Sequence, residues 1–278
     1  MKIERHSQTG RAAFSLVEIM VAVTLLAVIT VGLLAMFYQT QKAFRLGASQ
    51  VDILESGRAT AQLLSLEMQE MYPSYADTVT NFVAKPRAAR LMMPGVRTNL
   101  LQDISFLTRR GDEWIGITYR VDHNNRGAGT LYRAVLATNA WTNFITGRPM
   151  AVAQIASVSN VFAGITKPVG VITNDPNLRF DRIADGIVHL RVRAFDQRGR
   201  VYNEAPLDEY HFTNFVPAYL ELELGVLDPK AVEQFRARSA NPASARNYLT
   251  NQAHRVHLFN QRIPIRTRHA EVDLFSLK

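Results

Sequence analysis

A single carboxylate stands at the start of a long apolar run. In "FSLVEIMVAVTLLAVITVGLLAMF", Glu18 precedes Ile19–Phe37, a stretch with no charged residue. A carboxylate in hydrocarbon costs about 3 kcal/mol on insertion scales, so it is retained where it has a partner or a role. Two roles fit. It can snorkel to the headgroups from a helix start, where the helix dipole favours an anion, or it can pair with a cation carried by another chain. Other residues with chemical potential are sparse. His254 and His257 in "HRVH" would point to opposite faces of a strand and lack the HExxH companion of a zinc site. Asp122, Asn124 and Asn125 in "VDHNNRGAG" offer oxygen ligands, but the acids are too few for a calcium loop and Arg126 would oppose the cation. The sequence has no GxSxG, no phosphate-cradling glycine loop and no cysteine. The expectation is therefore a protein without catalytic site, cofactor or metal, whose action is not turnover.

The elements that position Glu18 follow from composition and periodicity. With 278 residues, 47% hydrophobic and 20% charged, the chain is of folding composition. Its net charge of +8 suits an acidic partner. The arginine-rich stretches Thr108–Arg110, Arg191–Arg200 and Arg262–His269 lack the interleaved aromatics of a base-stacking surface, so no nucleic-acid partner is expected. At ~1.5 Å per residue, Ile19–Phe37 is about long enough to cross a ~30 Å hydrocarbon layer. A cleaved secretory signal would carry its small residues after the apolar core, whereas Ala12 and Ala13 precede it, so the span is expected to be retained. Lys2, Arg5 and Arg11 before the span are nearly balanced by Lys42 and Arg45 after it, and orientation follows only weakly from charge.

Beyond the span, Leu54, Ala61, Leu64, Met68 and Met71 recur at helical spacing, which predicts a helix continuing to about Met71 and stopped before Pro73. Gly32 and Gly57 are weak points in it, each costing roughly 1 kcal/mol against Ala. From about Ile104 the period changes to two. Ile115, Ile117, Tyr119 and Val121 share one strand face; so do Val188, Leu190, Val192 and Ala194; and Leu220, Leu222, Leu224 and Val226 alternate with Glu221 and Glu223. Turns are expected at Asn124–Gly129, Asn174–Asn177 and Asp196–Gly199, a short helix at "LDPKAVEQFRA" capped by Asp228, and a flexible loop at Ser239–Asn247. The fold class is α+β: a long N-terminal helix, membrane-spanning in its first half and amphipathic in its second, packed on an antiparallel β-sheet head.

The segment "AAFSLVEIMVAVTLLAVI" resembles the cleavage-methylation motif of type IV pilins and pseudopilins. The resemblance implies a pilin-like fold, with a leader at residues 1–13, a transmembrane helix at 14–38, its continuation at 39–72 and a β-rich head at 73–278. It implies cleavage after Ala13 by a prepilin peptidase, N-methylation of the new terminus Phe14, and an assembly role for Glu18. The family usually has Gly where this chain has Ala13. It further implies a single-pass inner-membrane protein with cytoplasmic N-terminus and periplasmic head, whose partners are other pilin-like subunits. The head text, with "TLYRAVL", "IVHLRVRAFDQRGR" and "VPAYLELELGVLDP", is similar to the J-type minor pseudopilins of type II secretion and to the W-type minor pilins, which implies priming or capping of a filament tip. The alternative is a membrane-anchored periplasmic binding module or hydrolase.

Overall fold

The computed structural model describes residues 15–74, 77–86, 91–92, 98–111, 113–122, 127–138, 152–166, 179–202 and 209–266. The chain divides into two compact units, one ending at Val51 and one beginning at Asp52. Helix α1 (Leu16–Gln69) supplies the first unit and opens the second.

In the second unit an eight-stranded antiparallel sheet curls around the end of α1. Its strands are β1 (Thr80–Pro86), β4 (Gln102–Arg110), β5 (Glu113–Asp122), β6 (Gly129–Thr138), β7 (Phe180–Phe195), β8 (Tyr210–Thr213), β9 (Tyr219–Leu227) and β10 (Val256–Pro264), in the order β10-β9-β7-β6-β5-β4-β1-β8. A separate pair, β2 (Leu91–Met92) and β3 (Thr98–Asn99), precedes β4. The curl is made within β7. Its first half pairs with β6 and its second with β9, and the register slips between Ile187 and His189. Gly186, at φ 70°, sits at that slip, where a Cβ would also lie 2.6 Å from Val232. Glycine alone tolerates both demands. Past the slip, the edge of β7 that β6 has left is taken by residues 100–102: Leu190 N–H donates to Leu100 O at 2.8 Å and Val192 N–H donates to Gln102 Oε1 at 2.5 Å.

The inner face of the sheet packs on α1. Ile53, Ala61, Leu64, Met68 and Met71 are buried among Phe106, Tyr119, Leu131, Leu190, Leu222 and their neighbours. The expected stripe is displaced by one residue at its start: Leu54 is 48% exposed, and Ile53, at 3%, takes its place. The helix ends at Gln69, two residues early, and Met71 instead bridges to Thr108 of β4. Gly57 is a point of close approach. A Cβ there would fall 2.2 Å from the Phe259 ring of β10, so the residue read as a weak point in the helix lets strand and helix meet.

The outer face is covered in two places. Helix α2 (Val152–Thr166) lays Val158, Val161, Phe162 and Ile165 over Leu107, Trp114 and Ala134. Arg120, almost wholly buried, donates to the Ile165 carbonyl at 2.9 Å and stands 3.5 Å from Asp103, so it closes the C-terminal end of α2. Helices α3 (Pro229–Ala237) and α4 (Pro242–Asn251) bury Ala231, Val232, Phe235, Ala245, Tyr248 and Leu249 against Val188 and Leu227. Asp228 caps α3 as expected, accepting from Lys230 N–H at 2.9 Å. The loop expected at Ser239–Asn247 is corrected to α4. Asn241 accepts from Ala243 and Ser244 N–H at 3.0 and 3.3 Å, with Pro242 in the first turn, the same cap-then-proline start as α3. Val188 leaves the face of Leu190, Val192 and Ala194 because the slip in β7 turns it to α3 and α4.

Candidate membrane-spanning segment and the polar clusters of the head

Among the described residues, α1 is the helix long and apolar enough to cross a membrane. Nothing among the described residues covers its apolar part: between Leu16 and Tyr38 the large hydrophobic side chains are exposed from 52% at Val21 to 74% at Leu16. The two hydroxyls in this stretch are satisfied within the helix. Thr24 donates to the carbonyls of Met20 and Val21, and Thr30 donates to Leu26 O at 2.7 Å. Such back-bonding lets a hydroxyl sit in hydrocarbon.

Glu18 lies in the first turn. Its N–H donates to Ser15 O at 3.0 Å and to Ser15 Oγ at 3.2 Å, so Ser15 is the N-cap. Ser15-Leu16-Val17-Glu18 has the spacing of a capping box, a helix-start signal beside the assembly role expected for Glu18. Its carboxylate is exposed and forms no ion pair among the described residues. Ala13 and Phe14, the expected cleavage and methylation positions, lie outside the described residues.

The head unit carries two polar clusters that the sequence did not single out. On the inner face, Glu67 of α1 receives a fork from Arg133 of β6: Nε to Oε2 at 3.0 Å and Nη2 to Oε1 at 2.5 Å. Tyr119 of β5 donates its hydroxyl to the same Oε2. Burial first, then the Glu67 charge, pushes the Tyr119 phenol far above its usual range, and the bond to Glu67 raises the Arg133 guanidinium. The available signal was "LYR", quoted above for its resemblance, with a glutamate flanking the apolar stripe of α1. On the outer face, Leu100 N–H donates to His189 Nδ1 at 3.0 Å, which leaves the ring proton on Nε2, 3.2 Å from Glu223 Oε2. The bond to His189 is the main cause holding the Glu223 carboxyl below its usual range. Arg193 joins Glu221 at 2.9 Å and Glu223 at 3.4 Å, a cross-strand charge ladder between β7 and β9.

The groups of each cluster are paired with one another. His254 sits in a 3-10 turn and His257 on β10, and no group of three acidic or histidine side chains among the described residues could hold a metal. Asp122 ends β5, and Asn124 and Asn125 lie outside the described residues. No protein-family model matches the chain, and no curated protein matches it.

Proposed function

We propose that the chain is a minor pilin-like subunit, a pseudopilin, of a type II secretion or type IV pilus-type filament. It is processed by a prepilin peptidase between Ala13 and Phe14, methylated at Phe14, and assembled through α1. The head, on the periplasmic side of the inner membrane, meets sibling subunits and primes or caps the filament tip, as in the J-type and W-type minor subunits its text resembles.

One observation carries the reading. Of the polar side chains between Glu18 and Phe37, Thr24 and Thr30 find partners within the helix, while Glu18 finds no ionic partner among the described residues. Cleavage ahead of Phe14 would create an amine. Glu18 of an incoming subunit would then meet that amine on a subunit already assembled, and the pairing would offset the cost of the buried charge. The motif around Glu18, the exposed apolar helix and the α+β head support the same reading.

The test is co-expression with a prepilin peptidase, with mass spectrometry of the product and of Glu18→Ala. The expected result is a chain beginning at Phe14, incorporated into filaments as wild type and lost from them as Glu18→Ala while still cleaved. An intact start at Met1 in functioning protein would overturn the proposal and favour an anchored binding module. A quantitative immunoblot showing the chain as the dominant filament protein would remove the tip role.

A further inference from the structure

Strand β10 is nine residues long and stands at one end of the strand order, so among the described residues its far edge pairs with no strand. The register tells which groups that edge presents. Val256 lies opposite Leu227 and Pro264 opposite Tyr219. One position beyond each, Asp228 N–H donates to Arg255 O at 3.1 Å and Ile265 N–H donates to Ala218 O at 3.2 Å. Hydrogen-bonded positions alternate in an antiparallel pair, so the odd-numbered residues of β10 turn N–H and C=O toward β9, and Leu258, Asn260 and Arg262 turn theirs outward. Pro264 falls in the outward set, where a missing N–H breaks no ladder bond. The three outward residues are exposed, and the β9 register runs through them without a slip. A long, regular edge of this kind is a template for a further strand.

The charges around the edge say what kind of strand. Residues 234–270 contain no Asp or Glu. The nearest acids on the sheet, Glu221 opposite Arg262 and Glu223 opposite Asn260, are held from the other side by Arg193 and His189 of β7. Behind the strand, Glu55 and Arg58 stand exposed on either side of Gly57 and offset each other. The Arg262 guanidinium is left lying on the Tyr219 ring, 3.6 Å from its centroid, with no ion pair among the described residues. Arg255 and Arg266 flank the strand and add the same sign. A second copy of β10 brings no carboxylate to face Arg262, so like charge opposes self-pairing.

We infer that the outer edge of β10 takes an extended segment of another protein, in which acidic and apolar residues alternate, as an added strand. Its backbone bonds to Leu258, Asn260 and Arg262, its acids share the outer face with Arg262, and its apolar residues lie beside the half-buried Phe259. The contact does not depend on the filament reading.

The full chain in detergent micelles is titrated with the fluorescein-labelled peptide Thr-Val-Glu-Val-Glu-Val-Thr and with its counterpart Thr-Val-Lys-Val-Lys-Val-Thr. By anisotropy, the acidic peptide is expected to bind about ten-fold more tightly, a preference that falls several-fold in Arg262→Gln. The bound peptide is expected to slow amide exchange at Leu258, Asn260 and Arg262 and to leave Phe259 and Gln261, which face β9, unchanged. Equal binding of the two peptides, or protection that does not follow this alternation, overturns the proposal. Slow exchange at the three outward amides without peptide overturns it equally. If that protection grows with chain concentration, the edge belongs to a second copy; if it is lost on deletion of residues 267–278, the edge belongs to the chain's own C-terminal residues.

Discussion

Glu67, near the end of α1, and Arg133, in the middle of β6, are joined through both carboxylate oxygens. The contact fixes the rotation of the helix about its axis within the curled sheet. Leu64, Met68 and Met71 are interchangeable hydrophobes that would tolerate a small turn of α1, whereas a planar fork would not.

Arg133→Met should therefore destabilise the head by about 2–3 kcal/mol, since both side chains are largely buried and Glu67 would be left with one hydroxyl donor. Glu67→Gln combined with Arg133→Met should cost less than the two singly measured losses added together. Denaturant unfolding of the four proteins of this cycle reads the difference, and additive losses would show that the pair is not coupled.

Tyr119 predicts a response to alkali. Its folded-state pKa is raised, so the stability it contributes is complete below the unfolded value of about 10 and is lost as pH rises above that. Thermal unfolding between pH 8 and pH 11 should show a decline beginning near pH 10, and Tyr119→Phe should flatten it.

Gly57→Ala sets two effects against each other. Helix propensity alone predicts a gain of about 1 kcal/mol. The new methyl group would fall inside the Phe259 ring, and displacing that ring should outweigh the gain, leaving a net loss of about 1–2 kcal/mol. Adding Phe259→Ala should make Gly57→Ala neutral or favourable. A stabilising effect of Gly57→Ala alone, by calorimetry, would refute the close approach.

Asn241→Ala removes the cap of α4 and should cost about 1 kcal/mol. The loss should be local, with faster hydrogen exchange in Ala245 to Leu249 and little change in β4 or β5.

Much of the head was legible because apolar side chains recur at every second position of its strands, even where, as in β5, both faces are buried. The alternation of Leu220, Leu222 and Leu224 with Glu221 and Glu223 gave the two faces of β9, and "WIGITYRV" gave those of β5. Helix α2 was missed although Val158, Val161, Phe162 and Ile165 keep helical spacing, since its small and β-branched neighbours carry no cap or charge pattern. Helix α4 was read as a loop because Ser, Asn and Pro dominate its start, where Asn-Pro is a cap followed by a first turn. The Glu67–Arg133 fork joins residues far apart in the chain, and periodicity is blind to such pairs. Glu18 stood out because a charge in an apolar run is costly. Its capping geometry with Ser15 lay in the same four residues.

Gly57 and Phe259 touch across about two hundred positions of chain. The inner stave of the curled head is made before the strand that closes against it, with every other strand of the sheet in between. A nascent head thus holds its greasy centre open until that strand has emerged, and its final collapse is one long-range event, slow by the standards of locally wired domains.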